Sequence, residues 1–175
     1  MKLASDAELR LESGRLELFP CSPEACVASL QGPGVLGRLA RIEVPLTWPP
    51  RELTDALALY ARGLDGGDSL RGWGIWLLVS KGEPMLVGSA GFKGRPDGAG
   101  CVEIGYGIEP LWRRRGLATE AVTRLVTWAW EQGVRRIVAE CDEQNLPSEG
   151  VLRATGMRVY ERRGRMQWWE LNKPS

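Results

Sequence analysis

Val102-Glu103-Ile104-Gly105-Tyr106-Gly107-Ile108-Glu109-Pro110-Leu111-Trp112-Arg113-Arg114-Arg115-Gly116-Leu117-Ala118 is the stretch on which the reading of this chain turns. Its first half alternates Val102, Ile104, Tyr106 and Ile108 with small or charged residues, the period of a strand. Pro110 ends that strand because it has no N–H for a ladder. Three arginines and a glycine follow, and an amphipathic helix begins. Ala118, Val122, Leu125 and Ala129, widened by Ala121 and Trp128, form its apolar stripe over Thr119–Gln132. A strand, a basic Gly-bearing turn and a helix start make a site for a phosphorylated ligand. Free backbone N–H groups and the positive end of the helix dipole face the anion, and Arg113, Arg114 and Arg115 add full charges. Gly116 and Ala118 keep bulk away from the backbone, and Thr119 offers a hydroxyl.

Outward from this stretch the chain reads as alternating elements. Downstream, Arg136–Asp142 is almost wholly apolar at Ile137-Val138-Ala139, as a central strand covered on both faces would be. Strand, helix and strand in that order predict a parallel pair. A short helix from Pro147 to Thr155 closes at Gly156, and a hairpin turns at Arg163-Gly164. Upstream, Trp73–Val79 and Met85–Phe92 join Cys101–Ile108 through short Gly/Pro turns, which predicts an antiparallel meander. Met1–Glu8 reads as a loose leader, and Leu9–Leu18 as a first strand interrupted at Ser13-Gly14. Ser22-Pro23-Glu24 starts a helix that ends before Gly32. A further helix runs from Arg51, with Leu53, Leu57 and Tyr60 on one face, to Gly66-Gly67. The segment between Gly34 and Pro50 yields only extended geometry before each proline. Trp48 is the candidate there for lining a substrate pocket.

The chain has 175 residues, which predicts one domain over 1–175 with a core large enough to need no disulfide or metal. Its net charge is +1, which gives no whole-molecule attraction to nucleic acid or membrane. It has no histidine, so Ser-His-Asp catalysis, Cys-His catalysis and His-ligated metal sites are excluded, and no metal is expected. Four cysteines without a CxxC pair read as reduced thiols. No signal peptide and no apolar run of spanning length are visible, and the expected location is the cytoplasm. Gly105-x-Gly107 lacks the third glycine of a dinucleotide fingerprint, and no P-loop is present.

Arg113-x-x-Gly116-x-Ala118 on a strand–turn–helix resembles the acyl-CoA signature of the GNAT N-acetyltransferase superfamily. A second block is in register with it. Asn145-Leu146-Pro147-Ser148 followed by Gly156-Met157 resembles the segment in which an Asn opens a short helix ending in Gly-Phe. Glu103-Ile104-Gly105-Tyr106 and Thr119-Glu120-Ala121 resemble the ribosomal-protein Nα-acetyltransferase-like (RimJ/RimL-like) branch. Order and spacing match over about Leu9–Leu171.

The resemblance implies a GNAT-like α/β fold: a twisted, mixed antiparallel and parallel sheet with splayed central parallel strands, flanked by helices. It implies transfer of the acetyl group of acetyl-CoA to a primary amine, on a protein N-terminus or a small molecule, by direct attack on the thioester. Acetyl-CoA is the expected co-substrate, and a homodimer is a family expectation. Ile108 matches the backbone contact to the pantetheine arm. Arg113, Arg114, Arg115, Gly116, Leu117, Ala118 and Thr119 match the pyrophosphate turn, and Asn145 and Ser148 flank the thioester.

A neutral amine is required: a Lys amine of pKa about 10.4 is roughly 0.04% neutral at pH 7, an α-amine about 10% or more. Glu103, a carboxylate on a central strand, is the candidate base, with ion pairing to an arginine as its structural alternative and Glu140 and Asp142 as competitors. Many members carry an acid Tyr where this chain has Leu152, and Ser148 resembles the serine suggested for that role. The alternatives are a non-catalytic acyl-CoA-binding module and a nucleic-acid-binding domain built on the arginine clusters.

Overall fold

The computed structural model describes residues 9–62 and 71–174. The leader Met1–Glu8 and the expected helix end at Gly66-Gly67 lie outside the described residues. Ser13-Gly14 does more than interrupt a strand. It turns the chain, so that β1 (Leu11–Glu12) pairs antiparallel with β2 (Leu16–Pro20). Ser22 caps α1 (Pro23–Gln31) as its residue type predicts, its hydroxyl accepting from Ala25 N at 3.2 Å.

The segment that sequence left blank holds a helix, α2 (Pro33–Ala40), started by Pro33 and ended by Arg41 in the left-handed region. Its two glycines and early proline weaken the helical signal, and burial of Leu36 and Ala40 supplies what propensity does not. A 3₁₀ turn (Arg51–Leu53) leads into α3 (Thr54–Ala61).

The meander follows as β3 (Ile75–Ser80), β4 (Leu86–Phe92) and β5 (Cys101–Ile108), each antiparallel to the last. Then come α4 (Leu117–Glu131), β6 (Arg136–Asp142), α5 (Leu146–Ala154), β7 (Arg158–Arg163) and β8 (Met166–Asn172). The eight strands form one mixed sheet in the order β1-β2-β3-β4-β5-β6-β8-β7, in which β5 and β6 are the parallel pair.

Even-numbered residues of β5 face α4. Val102 and Ile104 pack there with Val122, Leu125, Ile137 and Leu152. An aromatic cluster anchors this layer, with Trp73 and Trp128 centroids 4.7 Å apart and Trp76 5.5 Å from Trp128. The opposite face of the sheet is covered by the first three helices through Phe19, Leu36, Leu77 and Leu86, and by Cys26, Leu57 and Ile75. Trp48 belongs to that core: it is 2% exposed.

Gly91 has φ 157, and a Cβ added there would lie 2.1 Å from Gly74 O. Gly105, opposite it in register, has open space where a Cβ would go. Gly91→Ala is therefore expected to lower stability by about 1–3 kcal/mol or more through overpacking, and Gly105→Ala by well under that, read as urea midpoints at constant slope.

Candidate active site

The geometry of β5 builds the site. Lys93 N donates to Glu103 O at 2.9 Å, and Glu109 N donates to Val87 O at 2.9 Å. Odd-numbered residues thus bond to β4, and antiparallel alternation turns the N–H and C=O of Ile104, Tyr106 and Ile108 toward β6. The β5–β6 ladder, however, pairs only Cys101–Glu103 with Arg136–Val138. Past it β5 runs on to Ile108, while β6 runs on to Asp142 paired to β8 along its whole length. The two parallel strands diverge at Glu103.

At the far end of β5 the chain turns into α4 through Arg113–Gly116. Arg114 (φ 59) and Gly116 (φ 75) are left-handed, a sharp curl that glycine adopts without strain. The first bond of the helix is Glu120 N to Gly116 O at 3.1 Å. The N–H groups of Leu117, Ala118 and Thr119 therefore have no partner within the helix, and they stand at its positive end. The three arginines are not equivalent. Arg113 Nε donates to Ile108 O at 2.9 Å. Arg115 donates to Leu111 O at 3.0 Å and stacks over Trp112 at 4.8 Å. Arg114 makes no such contact among the described residues.

Sequence reasoning missed what holds this loop. Arg15, on the β1–β2 hairpin, donates to Arg115 O at 2.8 Å and pairs with Glu120 at 2.7 Å, while Ser13 donates to the same carboxylate at 2.6 Å. Burial would raise the Glu120 pKa, but the hydrogen bonds from Ser13 and Arg15 outweigh it and hold the carboxyl below its ordinary value. Only long-range packing brings Arg15 there, and no local pattern announces it.

Asn145 opens α5 as expected, its side chain accepting from Ser148 N at 3.3 Å. Tyr106 reaches from β5 to that helix: its hydroxyl lies 2.8 Å from Ser148 Oγ and 3.0 Å from Ser148 O. Burial pushes the Tyr106 phenol up to about 12, against the Ser148 hydrogen bond, which lowers it. The structure thus joins Ser148 to a phenol that was read from sequence only as a strand residue. Leu152 is fully buried in the core.

Glu103 stands where the strands part. Its partner is Lys93, not an arginine, and Lys93 also donates to Glu140 at 2.9 Å. Burial would lower the Lys93 pKa, but the two carboxylates outweigh it and raise it above the ordinary value. Asp142 is held below its usual range by hydrogen bonds from Gln144 N and Arg165.

On this face of the sheet lies a cavity of about 750 Å³. Leu53, Ala56, Leu59 and Tyr60 wall it, and Gly105 and Gly107 lie along its floor. Trp48 is among the core residues behind α2, not among those lining the cavity. Among the described residues, no His/Cys/Asp/Glu cluster could hold a metal ion, and no helix is long and apolar enough to cross a membrane.

Residues 35–158 match the family model of the acetyltransferase (GNAT) domain. The chain is 30% identical over 161 residues to an uncharacterized N-acetyltransferase, YjdG, of Bacillus subtilis, covering 91% of this chain and 95% of that one. In fold it is similar to RimL, a ribosomal L7/L12 alpha-N-protein acetyltransferase solved in complex with coenzyme A. The TM-score is 0.66 at 18% identity, over 94% of this chain and 98% of that one. An acetyltransferase of the GNAT family from Bacillus anthracis gives a TM-score of 0.63 at 18% identity, over 94% and 98% of the two chains.

Tyr106→Phe removes both hydrogen bonds to Ser148 and is expected to cost about 1–2 kcal/mol at pH 8. The native phenol holds its proton to about pH 12, while an unfolded tyrosine releases it near pH 10. The stability this supplies is full below pH 10 and is lost as pH rises toward 12. In Tyr106→Phe the decline of the urea midpoint across that window should be shallower than in the parent.

Proposed function

The chain belongs to the GNAT acetyltransferase family, an acyltransferase family, and from that premise we propose that it moves the acetyl group of acetyl-CoA to a primary amine. The acceptor is the α-amine of a protein N-terminus or the amine of a small molecule, and it attacks the thioester directly. The observation that carries this reading is the divergence of β5 from β6 next to a helix start whose N–H groups are free. A polyanion joined to an extended amide-bearing arm suits that donor set: charged side chains and helix N–H groups at one end, a strand edge along the rest.

The N–H groups of Gly116, Leu117, Ala118 and Thr119, with the guanidinium groups of Arg113, Arg114 and Arg115, would hold the pyrophosphate. Tyr106 and Ile108, past the end of the ladder, would offer their free edge to the pantetheine arm. At Ile108 the N–H serves for this, because the carbonyl already accepts from Arg113. Asn145 orients Ser148 by capping its helix. Acetyl-CoA supplies an activated acetyl thioester. The chain's own residues manage two protons.

Glu103, with Lys93 and Glu140, forms a cluster of net charge −1 on the acceptor face. It attracts an ammonium, and Glu103 takes its proton through a water. Ser148 holds a proton at Oγ for the departing sulfur. The Tyr106 phenol lies 2.8 Å behind it, within reach to return that proton by turning its O–H from Ser148 O to Ser148 Oγ. Leu152 contributes nothing to this step, since its side chain is apolar and buried.

Calorimetric titration with acetyl-CoA should show saturable binding of one per chain, with ATP and NAD far weaker. Release of free CoA thiol in the presence of amines should follow. Glu103→Gln and Ser148→Ala are each expected to lower kcat by about 10²-fold while leaving the acetyl-CoA titration unchanged for Glu103→Gln. Absence of acetyl-CoA binding would overturn the reading. Binding without turnover on any amine would reduce it to an acyl-CoA-binding module.

A further inference from the structure

The cavity beside Glu103 carries information about the acceptor. Its volume, about 750 Å³, is that of a site enclosing a small organic molecule. The side chains that form its wall are apolar. Leu59, although 43% exposed, turns into it, and Leu53, Ala56 and Ile75 continue the surface. The glycine floor adds no polar side chain: a Cβ at Gly105 or Gly107 would meet nothing within 4 Å, so the space above both is open to an acceptor.

Lys93 and Glu52 are the charged residues lining the cavity among the described residues, and with Glu103 and Glu140 the carboxylates outnumber the one cation. Lys93 is already shared by Glu103 and Glu140. Glu52 stands on the exposed rim. An ammonium group is welcome here, and a carboxylate or phosphate on the acceptor finds no unpaired cation. A second observation points to a ligand. Ser89 lines the floor opposite Gly107 in register and is 6% exposed, yet its hydroxyl has no hydrogen-bond partner among the described residues. This hydroxyl lines the cavity, where a polar atom of whatever enters can take the place of water as its partner. Beyond Ser89 and the Tyr60 hydroxyl, which already donates to Phe92 O at 3.5 Å, little in the lining could pair the amides of a peptide. Each peptide group drawn in would lose hydrogen bonds to water without replacing them.

We propose that the acceptor is a small primary amine on an apolar aliphatic or aryl body, without an anionic group, seated between α3 and the glycine floor with its one polar end toward Ser89 and the Glu103 cluster. This rests on the acetyl-transfer reading and chooses within it, in favour of a lipophilic amine over a peptide N-terminus. The ammonium gives one proton to the Glu103 side, which passes it to solvent, and the neutral nitrogen bonds to the acetyl carbon; the adduct then sheds its second N–H proton, which restores the one that Ser148 gives up. The C–S bond breaks, and the sulfur leaves as CoA thiol with the proton from Ser148, so the products are an N-alkyl acetamide and free CoA.

The test is free-thiol release by the full chain with acetyl-CoA and a matched series: 2-phenylethylamine, phenylalanine, which adds only the α-carboxylate, and a tetrapeptide with an N-terminal serine. Phenylethylamine should exceed both in kcat/KM by about tenfold or more, because burying an unpaired carboxylate or unpaired amides costs at least that factor. Ser89→Ala should raise the KM for phenylethylamine about fivefold or more with little change in kcat, the pattern of a lost ground-state contact. Its acetyl-CoA titration should match the parent, which shows that the variant folds. Equal or better use of phenylalanine or the tetrapeptide overturns the proposal and leaves acetyl transfer standing. An unchanged KM in Ser89→Ala removes Ser89 from it. Acetyl-CoA binding with no turnover on any of the three, or on a wider set of amines, overturns the transfer reading itself.

Discussion

Beyond Ile104 the backbone ladder of β5 is to β4 alone. A central strand with one edge left out of the ladder is costly in a packed protein, because each buried N–H and C=O needs a partner. The sheet meets this constraint without closing the gap. β6 is carried away from β5 by its full-length pairing with β8, and Ile108 O is satisfied by the Arg113 side chain. Tyr106 spans the opening to Ser148 and supplies the side-chain bridge that the backbone ladder does not. The open strand edge is therefore supported by side chains at Tyr106 and Ile108.

The same economy of contacts shapes the loop that follows. A run of three arginines at the positive end of a helix is self-repelling, and it sits where cations are least welcome. Glu120 in the first turn of α4 counters this, but its charge is directed at Arg15 rather than at the loop arginines. Arg15 in turn takes the carbonyl of Arg115. The first hairpin of the chain, far away in sequence, thus fixes the curl that points the free N–H groups outward. Arg113 and Arg115 bond backbone carbonyls and hold the loop's form, while Arg114 makes no such bond among the described residues.

Much of this was legible in the sequence because it is local. Period-two alternation located β5 to the residue, the 3.6 period located α4, Ser22 announced its helix by capping chemistry, and the family resemblance pointed to Asn145 as the start of α5. What failed to show was non-local. α2 carries Gly34 and Gly37 with an early proline, and burial rather than propensity makes it a helix. Trp48 looked available as a pocket residue because a Pro-rich turn gives no sign of which way its side chain points, and packing against Leu36 and Leu77 decided it. Lys93 lies ten residues before Glu103 with a turn between them. Register alone, set by Gly91 opposite Gly105, brings the two together. Tyr106 was visible as a strand residue, but its bond to Ser148 depends on where α5 docks.

A chain without histidine must move protons with groups whose ordinary pKa values lie far from neutrality. This structure separates the two tasks by face. The carboxylates Glu103 and Glu140 stand on the cavity side of the sheet, where a Lys side chain keeps them from repelling one another. The hydroxyls of Ser148 and Tyr106 stand across the gap toward α5, where burial keeps the phenol protonated. A base and an acid on opposite sides of one strand cannot neutralise each other. Under the proposed transfer, an amine entering from the cavity would meet the carboxylates before the thioester, and a leaving sulfur in the gap would meet hydroxyls. Because β5 is one strand thick and open along one edge past its ladder with β6, groups on both faces would reach the same reacting atoms.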